Sequence, residues 1–184
     1  YVGLSNADPR EHSIVVVFRG SVLQQNFIDD HDQQLLPLPN GRSGRVHRGM
    51  FSSYASIADP SLAAVDRLRK ANPAIRRIVV TGHSLGAGQA VFFADDVAAA
   101  QSDATVTAYT FGTPRPGDAA FASRLNQTAN LHIYAVVHRA DTVPQCGIYS
   151  PPCDERKLGL HQIARNVWYP DGLAESGAPW ILCD

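Results

Sequence analysis

Arg77-Ile-Val-Val-Thr-Gly-His-Ser-Leu-Gly86 is a short β-branched run that breaks into Gly-x-Ser-x-Gly. It continues through Ala87, Gly88 and Ala90 into an apolar segment of helical length, ending near Gln101. The unit reads as strand, sharp turn, helix. A serine hydroxyl is a weak nucleophile, so a protein that uses it must expose the oxygen, supply a base and aim donors at the developing oxyanion. The turn meets the first demand. Gly82 and Gly86 leave no side chain two positions either side of Ser84, and the strained turn sets the serine at the amino end of the helix. The Leu85 N–H then stands as one oxyanion donor. Five residues of this kind also fit a glycine-rich helix start; the buried strand before them and the apolar helix after them select Ser84 as a nucleophile.

Outward from this stretch, Ser13-Ile-Val-Val-Val-Phe18 is a continuous apolar run bounded by Gly20, the pattern of a strand buried on both faces. Ala104 to Phe111 and Leu131 to Val137 read as two further strands, separated by a helix over Asp118 to Thr128. From His47 to Ala71, apolar residues recur at helical spacing around an Asp59-Pro60 interruption, and Asn72-Pro73 supplies the stop. Alternating strands and helices with near-continuous apolar strands predict an α/β fold with a mostly parallel central sheet covered by helices. The polar stretch from Val22 to Gly44 reads as a short helix and a turn-rich excursion, and long excursions from a compact core are often functional. With 184 residues, 45% hydrophobic, and no repeat or linker, the chain is expected to be one catalytic domain over 1–184.

The second oxyanion donor is expected in the loop after the first strand, where Gly20 turns the backbone and Ser21 offers its N–H and hydroxyl; a plain strand-ending turn is the alternative. In folds with this elbow the acid and base follow the nucleophile in the order Ser, Asp or Glu, His. Asp141 lies directly beyond the strand ending at Val137, where loops at carboxyl strand ends gather functional groups. Asp118 also follows a strand but starts a helix, so a capping role fits it better. Of seven histidines only His161 follows Asp141, and the order selects it as the base. His47, His132 and His138 are expected to pack or hydrogen-bond, and His83 is the neighbour of the nucleophile.

Sixteen basic residues against seventeen acidic ones give no electrostatic footprint for nucleic acid, and the apolar runs are strand-sized, too short for a transmembrane segment. Cys146 and Cys153 flank a Pro-rich loop whose closure by a disulfide would stabilise by about 2.5 kcal/mol. Two unpaired thiols are the alternative, and a metal site fits the spacing poorly. A disulfide there points to an oxidising, extracellular compartment. Cys183 has no partner in this count.

With Ser84, Asp141 and His161 in place, the chain resembles the fungal class 3 lipase family, which includes triacylglycerol lipases and feruloyl esterases of filamentous fungi. The resemblance rests on ordered blocks: Val-Val-Phe-Arg-Gly-Ser at 16–21, Val46-His47-x-Gly49, Thr81-Gly-His-Ser-Leu-Gly-Ala-Gly88, Phe111-Gly-Thr-Pro-Arg-Pro-Gly-Asp118, Asp141-Thr-Val-Pro144, and His161 ahead of Val167-Trp168-Tyr169. It implies an α/β-hydrolase with a Ser-Asp-His triad, secretion, no metal or organic cofactor, and an amphipathic lid after the first strand, at about residues 22–35. In that lid Leu23, Phe27 and Ile28 would meet an acyl chain or a transient lipid interface, though Gln24, Gln25, Asp29 and Asp30 make it polar. The resemblance also implies truncation at one or both ends, since the family's amino-terminal helix and carboxyl tail find no counterpart. A monomeric hydrolase of lipid or other esters is the expectation. A soluble esterase on feruloyl or short-chain esters, and a catalytically silent hydrolase-like binding domain, stand as alternatives.

Overall fold

The computed structural model describes residues 1–5, 12–22, 32, 34–146, 159–163, 165–170 and 179–183. Strands β1 (Val2–Ser5) and β2 (Ser13–Phe18) are followed by β3 (Leu35–Pro37), a 3-10 turn over Pro39–Gly41, β4 (Arg45–His47) and helix α1 (Arg48–Ala71). Then come β5 (Arg77–His83), α2 (Leu85–Ala100), β6 (Thr105–Phe111), α3 (Ala119–Gln127), β7 (Leu131–His138), the short α4 (Thr142–Cys146), β8 (Arg165–Tyr169) and β9 (Ile181–Cys183). Among the described residues seven strands form one sheet in the order β1-β2-β5-β6-β7-β8-β9, while β3 and β4 pair separately. The five central strands are parallel and the two edge strands antiparallel. This is the mostly parallel α/β architecture that the alternating pattern predicts.

Period-two alternation sends Ile14, Val16 and Phe18, Ile78 and Val80, and Val106 and Ala108 to one face, where all are buried. Helix α2 packs on that face. It is buried almost without a break from Leu85 to Ala98, as a helix apolar all round must be. Its Phe92 meets Phe51 and Tyr54 of α1 edge-on or tilted and Phe121 of α3, so one aromatic cluster joins the three helices. Around this cluster, Asp95 accepts from Arg42 and from both terminal nitrogens of Arg124, and Asp96 accepts from Arg42 and the Tyr54 hydroxyl. Burial, reinforced by the Asp96 charge, holds the Tyr54 phenol well above its ordinary pKa.

Several expectations change. The first strand is not buried on both faces: Val17 is 39% exposed, and Tyr109 and Phe111 on the same side of the sheet are 44% and 40% exposed. β-Branched and aromatic residues favour a pleated strand even when half-buried, so an apolar run alone does not prove double coverage. Tyr109 shields part of itself by stacking on Tyr134. Helix α1 runs through Pro60 without an assigned break and stops where expected, with the Asn72 N–H capping onto Leu68 and Arg69. The end of the polar excursion holds the β3–β4 hairpin, paired from Leu35 with His47 to Pro37 with Arg45. Strand β8 and the edge strands β1 and β9 are too short and mixed to stand out in the sequence.

Parallel register sets the site. Phe18 lies beside Gly82, His83 beside Phe111, and Phe111 beside Val136. The carboxyl ends of β2, β5, β6 and β7 therefore form one row, the edge at which open α/β sheets gather ligands.

Candidate active site

Ser84 links β5 to α2 with φ 55° and ψ −127°. A non-glycine residue held there stores about 1–3 kcal/mol, which persists only if its surroundings fix it. Two hydrogen bonds do so: the Ser84 N–H donates to Phe111 O at 3.0 Å, and Ser84 O accepts from the Ala87 N–H at 2.8 Å. The flanking glycines are required by space. A Cβ on Gly82 would lie 2.1 Å from Gly86 O, and one on Gly86 2.5 Å from Phe18 O and 2.6 Å from Arg19 O. The elbow is thus wedged under the end of β2.

That wedge brings Gly20 and Ser21, where the second oxyanion donor is expected, alongside. The Gly20 backbone packs against the His83 carbonyl, close enough that a Cβ would stand 2.9 Å from that oxygen, and half-buried Ser21 follows it. Leu85 is the first residue of α2, so its N–H has no acceptor within the helix. A cavity of about 410 Å³ opens beside these groups, lined by Arg19, Gly20 and Leu85 and walled by Val17, Ile57 and Pro60.

Asp141 sits in the turn after β7. Its Oδ1 accepts from the Val143 N–H at 3.1 Å, and its own N–H donates to His138 O at 3.0 Å. Its Oδ2 faces Gly112, lying 3.0 Å from where a Cβ there would be. Gly112 has φ 54°, in the left-handed region that favours glycine, and donates its N–H to Val136 O. The turn is fastened from β8: Arg139, at φ 49°, receives the Trp168 indole N–H on its carbonyl at 2.8 Å and donates its N–H to Tyr169 O at 2.9 Å.

The structure therefore gathers Ser21, Ser84, Leu85 and Asp141 at one strand edge. His161 lies in the segment before β8. It is exposed and forms a bridge with Gly117, donating its backbone N–H to Gly117 O at 2.7 Å. Among the described residues no hydrogen bond or ion pair links its ring to Asp141 or Ser84. Asp118, passed over as an acid, caps α3 by accepting from the Phe121 N–H at 2.9 Å. The lid positions Leu23, Phe27 and Ile28, and Cys153, lie outside the described residues, as does the side chain of Cys146; among the described residues Cys183 forms no disulfide. Among the described residues no cluster of three or more His, Cys, Asp or Glu side chains is arranged for a metal, and no helix is long and apolar enough to cross a membrane.

Two contributors escaped the sequence reading. Buried Arg115 directs its guanidinium to Pro144 O and Leu160 O, tying the segment after Asp141 to the one before His161. Trp168 holds the Asp141 turn as described. Both lie inside the ordered blocks Phe111–Asp118 and Val167–Tyr169, and that position was their only signal.

Residues 15–150 match the family model described as lipase (class 3). A secreted mono- and diacylglycerol lipase of Malassezia globosa is 31% identical over 166 residues, 85% of this chain and 52% of the relative. A lipase of Rhizomucor miehei is 31% identical over 169 residues, 90% of this chain and 44% of the relative. A solved triacylglycerol lipase, described as having a serine-protease triad at its catalytic centre, superposes with TM-score 0.74 at 30% identity, over 86% of this chain and 58% of its own. The chain spans about half the length of the curated relatives it matches.

Proposed function

This chain belongs to the class 3 lipase family, and from that premise we propose that it hydrolyses carboxylic esters of acylglycerols or related lipids, with Ser84 as nucleophile. The observation that carries the proposal is the elbow: a serine held at φ 55° between glycines that no other residue could replace, at the amino end of a buried helix. The relatives' names support acylglycerols as the substrate class, and the cavity walled by Val17, Ile57 and Pro60 offers an apolar arm of the ester a place beside the oxyanion donors.

In the mechanism, Ser84 Oγ attacks the ester carbonyl as a base takes its proton, and the Leu85 and Ser21 N–H groups stabilise the oxyanion. The alcohol leaves with the proton from the base, and water then cleaves the acyl-enzyme by the reverse roles. Asp141 orients the base and stabilises its cation; the Val143 N–H fixes Oδ1 and leaves Oδ2 for that partner. His161 is the base in this reading, being the histidine that follows Asp141 in the sequence. That no hydrogen bond among the described residues joins its ring to Asp141 favours a second reading of that one role, in which the base is a histidine outside residues 1–184. The secreted location of named relatives, a monomeric state and lipid-interface contact through residues 22–35 complete the proposal.

A fluorophosphonate probe tests it. The wild-type chain should label at Ser84 and hydrolyse acylglycerols, and Ser84→Ala should do neither while keeping its fold. Undiminished hydrolysis by Ser84→Ala would overturn the assignment. His161→Ala decides the base: loss of labelling assigns it to His161, and labelling at the wild-type rate assigns it elsewhere. Rates across ester chain lengths, below and above solubility, separate the lipase from a feruloyl or short-chain esterase.

A further inference from the structure

We propose that His83 is a positioning residue for this hydrolysis, its imidazole setting the distance between the oxyanion loop at Gly20–Ser21 and the Asp141 carboxylate on either side of Ser84. The proposal rests on the roles given above to Ser21, Ser84 and Asp141. His83 ends β5, which lies between β2 and β6 in the sheet, and its exposed side chain projects from the face opposite α2. The ring spans both neighbours. Its Nδ1 lies 3.4 Å from the point a Cβ on Gly20 would occupy, and its Nε2 and Cδ2 lie 3.5 and 3.7 Å from the point a Cβ on Gly112 would occupy. Asp141 Oδ2 stands 3.0 Å from that same point on Gly112.

The imidazole thus stands at van der Waals distance from the Cβ positions of both Gly20 and Gly112, and one ring reaches from the oxyanion loop to the neighbourhood of the acid. Backbone hydrogen bonds already tie the ends of β5, β6 and β7, through the Ser84 N–H to Phe111 O and the Gly112 N–H to Val136 O. The register between β2 and β5 ends at Phe18 and Gly82, one step before the loop that carries Ser21. Beyond it the packing of Gly20 on the His83 carbonyl and ring fixes where the loop goes. Without the ring, Gly20 can move toward Gly112 and the Ser21 donor leaves its place. The core does not depend on this exposed side chain, so its removal should perturb geometry more than stability.

His83→Ala and His83→Gln test this on a soluble p-nitrophenyl butyrate substrate. His83→Ala is expected to lower kcat about 10- to 100-fold, the scale of a sub-ångström to ångström displacement of a catalytic group. KM should stay within about two-fold, since an interaction realised in the transition state is lost rather than uniform binding. His83→Gln, whose amide reaches as far as the ring, should recover most of the loss, and Ser84 should still label fully, though more slowly, in both variants. Wild-type kcat in His83→Ala would overturn the proposal, as would a rise in KM at unchanged kcat, which would place the ring on substrate. Loss of kcat in both variants in step with a fall in melting temperature would also overturn it, making the ring part of the fold alone. None of these results touches the nucleophile; retained activity in Ser84→Ala would instead remove the reading on which the proposal rests.

Discussion

Replacing Gly112 by Ala should separate the cost to the fold from the cost to the reaction. At φ 54° an alanine pays the left-handed penalty of about 1–2 kcal/mol. For a domain of this size each kcal/mol moves the melting temperature by about 2–4 °C, so the midpoint should fall by about 2–8 °C. The new Cβ would stand 3.0 Å from Asp141 Oδ2. Ordinary carbon contact distances require the carboxylate to withdraw by about 0.5 Å. If a 1 Å misplacement costs about 100-fold, this shift should lower kcat by about 10-fold at nearly constant KM, measured on a soluble ester well below the melting midpoint. The Asp141→Asn background is the control. That variant alone should lose about 10⁴-fold in kcat, as loss of a triad acid does elsewhere. If Gly112 acts through Asp141, adding Gly112→Ala to it should cost nothing further. Full kcat in Gly112→Ala, or another 10-fold loss in the Asp141→Asn background, would refute the reasoning.

Asp95→Asn should destabilise by about 2–3 kcal/mol in denaturant titrations. It removes a 4% exposed carboxylate facing Arg42 and Arg124, and the toll stays below the 3–5 kcal/mol of a fully buried pair because both arginines reach solvent. Asp103 has its pKa lowered by hydrogen bonds from Arg69, so it binds its proton more weakly folded than unfolded. Its stabilisation is therefore present above its unfolded pKa and lost as pH falls through the folded value. Asp103→Asn should flatten that part of the acid-unfolding curve below about pH 4 and leave the neutral branch parallel. Trp168→Phe removes the 2.8 Å bond to Arg139 O and should cost about 1 kcal/mol by chemical denaturation. A fall in kcat larger than the fall in stability should accompany it, because the Asp141 turn loses its fastening.

The residues that read most clearly were those under two constraints at once. Gly82 and Gly86 had to be small for the elbow and had to fall between an apolar strand and an apolar helix, and both conditions are local in sequence. Strands β2, β5, β6 and β7 were legible because each is a near-continuous apolar or β-branched run, although their burial proves to alternate. β1, β8 and β9 were not, since strands of three to five residues at or next to the sheet edges carry mixed side chains, and the β3–β4 hairpin hid in a Pro-rich stretch because its pairing needs only three residues a side. Ser21 and Asp141 were chosen because each follows a recognisable strand, and both strands form. His161 was chosen by chain order, which fixes sequence and says nothing of distance; its Gly117 bridge belongs to tertiary packing that no local pattern encodes. Arg115 and Trp168 act through main-chain carbonyls far along the chain, and such partners leave no trace in residue type or spacing.

Helix α2, buried on every side, has a consequence for how this protein ages and fails. Amides around Val91–Phe93 can reach solvent only when the sheet, α1 and α3 separate, so their hydrogen exchange should require the full unfolding free energy. The strained Ser84 is spliced directly onto that helix, and its dihedral angles are released only when the helix is. Partial opening at the edges of the domain leaves the elbow set, so on heating, Ser84 labelling should persist to the global midpoint and vanish with it.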